Sequence, residues 1–201
     1  MAVVSNGTTI IDAGALGSGV ATGKMILLAT QTASGSANLS FTSGIDSTYD
    51  SYVFKCIDIH PSASNPNFGF QVEVGTGTSY AQTITSTYFA GYQNEGGSTT
   101  GFGYISEQDQ AQGTGLQSLA DQIGNGNDES CAGVLHLFEP SSGTFVKHFT
   151  ARFQGYNGAD FSTDLQVAGY VNTTTALTRV QFKFSSGNID SGVIKMYGIG
   201  G

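Results

Sequence analysis

The sequence has little charge, and most of what it has is negative. Charged residues make up 11% of the 201 residues, with 7 Lys and Arg against 15 Asp and Glu and a net charge of −8. No basic stripe offsets this balance, and a negative chain repels phosphate backbones. We therefore expect no binding to nucleic acid.

Cysteine is also scarce, which excludes a disulfide framework. The only two, Cys56 and Cys131, lie in or beside the apolar runs FKCIDI and SCAGVL. This setting favours two buried free thiols, and a single disulfide stays open if their strands are neighbours.

No long hydrophobic run is present. The longest, Met25 to Ala29, is far too short to span a bilayer, so we expect no membrane insertion. The N-terminus MAVVSNGTTII lacks a basic region followed by an apolar run, which predicts no signal peptide. We expect the protein to be made in the cytosol and either to stay there or to leave in an assembled particle.

The chain does have 29 Gly, 13 Phe and 9 Tyr, a composition typical of many strands joined by polar turns. Residues 24–201 predict one β-body, because short segments with period-two alternation recur every ten to fifteen residues. About nine or ten body strands favour a jelly-roll-like antiparallel β-sandwich. The predicted strands are 24–32, 37–42, 52–60, 68–74, 83–92, 131–139, 144–153, 164–171, 177–184 and 193–199.

The last of these strands carry the clearest pattern. Val180, Phe182 and Phe184 alternate with polar residues, and Val193 to Ile199 forms a second run. We read 176–201 as a hairpin at the closing edge of the core, and expect 193–199 to pair with a strand from 24–42. In the strand at 144–153, Phe145 is expected to share one face with Phe149, Ala151 and Phe153.

Residues 1–23 predict a separate arm. Asn6-Gly7 stands between two β-branched runs, which is a strong hairpin signal, and a Gly-rich connector follows it. Two interpretations stay open: the arm docks on a neighbouring subunit, or it folds back on its own domain. The candidate attachment residues are Val3, Val4, Ile10 and Ile11.

Residues 91–130 lose periodicity. The spacing of Leu116, Leu119 and Ile123 predicts a short helix over 115–123, although two short strands would fit the wider segment equally well. Aromatic residues here and just before it offer a receptor or sugar surface, with packing as the alternative. The candidates are Tyr88, Tyr92, Phe102 and Tyr104.

Tests for catalytic chemistry fail. Around Gly23-Lys24, a phosphate-binding loop would need Gly where Ser18 stands and Ser or Thr where Met25 stands. The three histidines are scattered, and the oxygen-rich run 125–129 lacks the residue order of an EF-hand. We expect no enzyme activity, cofactor or metal.

One resemblance guides the functional hypothesis. The residues that carry the resemblance are Phe41-Thr42-Ser43, Ile45-Asp46, Tyr49-Asp50-Ser51-Tyr52, a strand reaching Pro61 and the closing Gly192–Ile199. With these residues, the chain resembles a module of virion structural proteins, tail-fibre-like and others, in tailed, especially marine, bacteriophages. The resemblance implies a jelly-roll-like sandwich in a virion appendage or coat, and no catalytic residues.

The function expected is that of a non-enzymatic virion protein assembled in the host cytoplasm, a head decoration or short-fibre protein attached by its arm. Its partners would be capsid or tail subunits and copies of itself, a trimer being favoured. The alternative is a module that binds a carbohydrate or receptor, such as a host surface glycan, through residues 91–130. A hydrolase on a sandwich scaffold is a third hypothesis.

Overall fold

The structure is a computed structural model that describes residues 2–12, 15–16 and 25–200. These residues form sixteen strands and no helix. The strands are β1 Val3–Ser5, β2 Thr8–Asp12, β3 Ala15–Leu16, β4 Ile26–Thr32, β5 Leu39–Phe41, β6 Ser51–Pro61, β7 Phe68–Val74, β8 Ile84–Asn94, β9 Thr100–Tyr104, β10 Ala111–Gly113, β11 Gln117–Ala120, β12 Cys131–Phe138, β13 Lys147–Asn157, β14 Phe161–Val171, β15 Leu177–Phe184 and β16 Ile189–Ile199.

Two antiparallel sheets build the body. The large sheet has the order β10-β8-β14-β13-β12-β6-β16-β4, with β9 as a ninth strand also paired to β8. The small sheet has the order β11-β7-β15-β5. The predicted all-β antiparallel sandwich is confirmed, while its jelly-roll character stays a prediction.

Phenylalanine rings fill the space between the sheets. Phe182 of the small sheet lies 5.3 Å from Phe54 of the large sheet, centroid to centroid, and stacks on Phe68 at 6.0 Å. Phe70 meets Phe149 edge to face at 5.1 Å. Each such pair adds about 0.5–1.5 kcal/mol beyond the burial of its area. The Phe182–Phe54 and Phe70–Phe149 pairs join the two sheets, whereas Phe182 and Phe68 lie on neighbouring strands of the small sheet.

The predicted C-terminal hairpin is wrong, because its two strands lie in different sheets. β15 pairs with β7 and β5, whereas β16 pairs with β6 and β4. The turn between them, with Gly187 at φ +70°, carries the chain across the sandwich. The predicted partner of the last strand is confirmed, since Val193 lies opposite Thr32. The edge strand is therefore β4, and β16 is internal.

The helix predicted over 115–123 is also wrong. Gln117–Ala120 is a strand, β11, that pairs with β7 at the edge of the small sheet, and all four of its residues are buried. The buried Gln117 side chain explains why a strand is stable here. Its Oε1 accepts from Ser86 Oγ at 2.7 Å, and its Nε2 donates to the carbonyl of Ser118 at 3.0 Å.

Phe145 does not share the buried face of β13, because the strand begins two residues later, at Lys147. Phe145 is 70% exposed, whereas Phe149, Ala151 and Phe153 share one buried face of the strand. Its backbone N–H donates to Ser142 Oγ in a local turn, which ends the alternation before the strand starts.

The cysteines match the favoured interpretation of two buried free thiols. Cys56 and Cys131 lie on the neighbouring strands β6 and β12, and both are buried and unpaired. In the register, Cys56 lies opposite Gly133, while Cys131 lies opposite Ile59. Burial raises the pKa of both thiols, so neither is primed as a nucleophile.

Candidate functional site

The first candidate surface is the N-terminal hairpin. Strands β1 and β2 pair around a two-residue turn in which Asn6 has φ +47° and Gly7 has φ +80°. Two consecutive residues with positive φ are what a type I′ hairpin turn requires, and Asn-Gly supplies them at low cost. The predicted hairpin is confirmed, and a third short strand, β3, pairs with β2.

The apolar side chains of this hairpin are largely exposed. Val3, Val4 and Ile11 are 49%, 56% and 38% exposed, and Ile10 is half-buried. The strands β1, β2 and β3 form a sheet of their own, separate in pairing from both sheets of the body. Most of the predicted connector, at 13–14 and 17–24, lies outside the described residues. The division into arm and body stays a prediction.

The second candidate surface is the outer face of the large sheet, and it corrects the predicted set of aromatic residues. Tyr88 is fully buried, with its hydroxyl donating to Asp121 Oδ1 at 3.2 Å, so it belongs to no exposed surface. Tyr92 is 38% exposed, but it has the inward parity of Tyr88 and packs edge to face on Phe161 at 5.9 Å. Of the four aromatic residues predicted, two therefore share the outer face.

Those two, Phe102 and Tyr104 on β9, join Phe89 of β8 in what we call the aromatic cluster. Phe89 lies directly opposite Tyr104, and Phe102 lies opposite Gly91. The rings of Phe89 and Phe102 are nearly parallel at 6.0 Å and 9°, and Tyr104 meets Phe89 edge to face at 5.2 Å. Phe102 is 69% exposed, so a broad aromatic surface faces solvent.

A groove lies across β14, β13 and β12, in the same sheet as the aromatic cluster. It consists of two cavities of about 390 and 320 Å³ that share Gln154. We call it the polar groove. Its lining residues are Glu95, Asp128, Ser130, Ala132, Arg152, Phe153, Gln154, Tyr156, Ser162 and Asp164.

One ion pair organises the groove. Arg152 Nε and Nη2 donate to the two carboxylate oxygens of Asp164 at 2.9 and 2.8 Å, a bidentate geometry. These hydrogen bonds lower the pKa of Asp164, so the carboxylate stays ionised in mild acid. Farther along, the Tyr156 hydroxyl donates to Glu95 Oε1 at 3.1 Å, which raises the pKa of Tyr156 to about 12. Tyr156 is therefore a neutral donor and acceptor at physiological pH.

An acidic cleft of about 480 Å³ lies at one end of the sandwich, and it takes in part of the oxygen-rich run 125–129. Asp58, Asp128, Glu129 and Asp190 line it. Among the described residues, no group of three or more His, Cys, Asp or Glu side chains is arranged to hold a metal ion. His60 also lines the cleft, and its Nδ1 is hydrogen-bonded to the backbone carbonyl of Glu129 at 2.6 Å.

The other two histidines lie on the neighbouring strands β12 and β13 and do not line the acidic cleft. His136 lies half-buried beside Phe138 on β12, where burial lowers its pKa. His148 is exposed on β13 near Tyr170.

Comparisons with known proteins leave the family open. No protein-family model matches the chain, and no curated protein is significantly similar to it. Within the ranges that the structure describes, no helix is long and apolar enough to cross a membrane.

Sequence reasoning missed Phe89 and most of the groove. The alternation of Ile84, Ser86, Tyr88 and Ala90 was the available signal, because it assigns Tyr88 to the core and Phe89 to the opposite face. The groove residues left no comparable local signal. They come from separate strands and a loop that only the sheet pairing brings together.

Proposed function

We propose that the protein is a non-enzymatic structural component of a bacteriophage particle, a decoration or short-fibre protein attached to the particle exterior by its N-terminal hairpin. The observation that carries this proposal is the exposure of Val3, Val4 and Ile11 on a small sheet separate from the body sheets. The resemblance of 41–61 and 192–199 to phage virion modules supports the same role.

Binding to a partner would stabilise the hairpin. A small ribbon of strands is marginally stable in water, and this one leaves β-branched apolar side chains uncovered. Covering three half-exposed side chains of this size contributes about 2–4 kcal/mol before ordering costs. Repetition over a symmetric particle multiplies such a modest contact, which suits a trimer attached to a lattice of identical subunits.

Deleting residues 2–22 tests the attachment role. In phage that carry the truncated gene, we expect purified particles to lose the protein, as measured by quantitative mass spectrometry of the particles. A triple variant, Val3→Ser, Val4→Ser and Ile11→Ser, should have the same effect, while Ser5→Ala on the same hairpin should not. Normal incorporation of the truncated chain would sink the proposal. Light scattering of the purified chain tests the trimer.

A second candidate role is recognition of a receptor or carbohydrate by the outer face of the large sheet. The specific observation that favours it is the aromatic cluster, in which Phe102 and Tyr104 remain 69% and 47% exposed beside Phe89. Exposed aromatic groups gathered in one place are typical of interaction sites rather than of surface left at random. A decoration protein or fibre carrying such a face would hold it outward from the particle.

A further inference from the structure

We propose that the aromatic cluster and the polar groove together form a binding site for an uncharged glycan chain. This inference rests on the recognition role given above as the second candidate. It is independent of the hairpin, and it names the site, the ligand class and the residues that select it.

The register of the large sheet places the site in one cross-strand row. On the outer face Phe102 lies opposite Gly91, Gly91 opposite Asp164, Asp164 opposite Gln154, and Gln154 opposite Ala132. Neighbouring strands are about 4.8 Å apart, so the row extends about 19 Å from Phe102 to Ala132. That length suits several linked sugar units rather than a single small molecule.

Gly91, the second residue of this row, lies between the Phe102 ring and Asp164. A Cβ at this position would meet Phe102 Cδ2 at 3.4 Å and the Asp164 carbonyl at 3.9 Å, both ordinary contacts, and the backbone has no left-handed φ. The fold itself therefore does not require glycine here. Without a side chain, Gly91 adds no bulk between the Phe102 ring and the Asp164 carboxylate, so a ligand can contact both groups.

The chemical groups on the two sides of Gly91 are complementary to a sugar. The exposed Phe102 ring, stacked on Phe89, offers a flat apolar surface for the C–H face of a pyranose. On the other side, Arg152 uses two of its five N–H donors on Asp164, and the carboxylate keeps lone pairs beyond those two bonds. The planar guanidinium of Arg152 and the carboxylate of Asp164 lie side by side, so a donor and an acceptor are available to neighbouring hydroxyls of a sugar.

Charge decides between ligands that share this chemistry. Bases of single-stranded nucleic acid also stack on aromatic rings, but they bring a phosphate backbone that needs a basic track. The side chains lining the polar groove include three carboxylates, on Glu95, Asp128 and Asp164, against one cation, Arg152. With a net charge of −8 on the whole chain, a neutral glycan is favoured over nucleic acid and over acidic sugars.

The test is a glycan array with the purified full-length chain, followed by calorimetric titration with the best neutral oligosaccharide. Phe102→Ala removes the exposed ring, and Gly91→Val places a β-branched side chain, which a strand accepts, between that ring and Asp164. We expect each change to weaken binding at least about tenfold, equivalent to about 1.4 kcal/mol. Circular dichroism and thermal unfolding of both variants verify that the fold is retained.

Two matched controls separate the site from general effects of substitution. Phe145→Ala removes a ring that is 70% exposed but lies before β13, outside the groove. Gly103→Val adds the same side chain to β9 on the face opposite Phe102, where a Cβ meets nothing within 4 Å. Both controls should bind within about twofold of the unaltered chain, which corresponds to less than about 0.5 kcal/mol.

The outcomes distinguish the site from the role. If neutral glycans bind and neither Phe102→Ala nor Gly91→Val weakens binding, the site is wrong while the recognition role stands. Binding of acidic glycans alone would overturn the assignment of an uncharged ligand. If no glycan binds at millimolar concentration, the carbohydrate-recognition role and this inference both fail, and the hairpin attachment is unaffected.

Discussion

The ring of Tyr49 lies directly over Gly198, so closely that a Cβ at position 198 would overlap the ring. Gly198 is in the last strand, β16, and Tyr49 is in the corner that leads into β6. The same corner contacts β16 again where Gly44 approaches Met196. The corner before β6 and the last strand are therefore in contact at two places.

Gly198→Ala tests this contact. The added methyl group must displace the Tyr49 ring or the strand, so we expect a loss of about 1–3 kcal/mol in the free energy of unfolding, as for overpacking elsewhere. Urea denaturation followed by tyrosine fluorescence measures it. Gly103→Ala is the control, because a Cβ there meets no atom within 4 Å. Equal stability of the two variants would contradict the proposed close approach.

The sequence predicted strands where apolar residues alternate with other residues along the segment. Leu177–Phe184 and Phe68–Val74 were predicted with the bounds that the structure has, because their apolar residues recur with the pleat. It failed at Gln117–Ala120, where the buried Gln117 side chain accepts a hydrogen bond from Ser86, a residue distant in the chain. Such pairing leaves no local periodicity to read.

The two candidate surfaces also differ in how well a single sequence predicts them. The hairpin is local, and Asn6-Gly7 was enough to predict its turn. The outer-face site depends on which strands become neighbours: Arg152 and Asp164 meet only because β13 and β14 pair in one register. A single sequence contains no rule that selects that arrangement, although parity along β8 would have assigned Phe89 correctly.

Tyr52→Phe should destabilise the corner before β6. The buried Tyr52 hydroxyl accepts from the backbone N–H of Asp46 and donates to the carbonyl of the same residue, both at 2.9 Å. Removing it leaves a backbone donor and acceptor without their partner, so we expect a loss of about 1–3 kcal/mol in stability, measured by thermal or urea unfolding. Tyr49→Phe, which keeps the ring over Gly198, is the control and should lose less than half of that.

The two thiols should report global unfolding. Cys56 and Cys131 are 2% and 1% exposed and burial raises their pKa, so we expect neither to react with a thiol reagent such as DTNB under native conditions. In denaturing urea, both should react without prior reduction, because they are free. A thiol that reacts rapidly in the native protein would contradict the burial. Silence of both thiols in urea until a reductant is added would indicate a disulfide.

Glu73 should make stability depend on pH. This carboxylate is 3% exposed and accepts hydrogen bonds at 2.7–2.9 Å from Ser79 Oγ, Gln82 Nε2 and the backbone N–H groups of Val74 and Tyr80. Burial alone would raise its pKa, but these four bonds together outweigh that effect and hold the pKa at about 2, below the usual 4.5.

Because the pKa of Glu73 is lower in the folded state, its contribution is fully present above pH 4.5 and is lost as the pH falls towards 2. We expect at most about 3 kcal/mol from this group at neutral pH. Glu73→Gln keeps the side-chain shape but turns an amide N–H₂ towards two of the donors. It should be less stable than the unaltered chain at pH 7 and approach it near pH 2.5, as measured by urea unfolding across that range. Glu107→Gln, at an exposed position, should leave the pH profile unchanged, and a pH-independent effect of Glu73→Gln would contradict the lowered pKa.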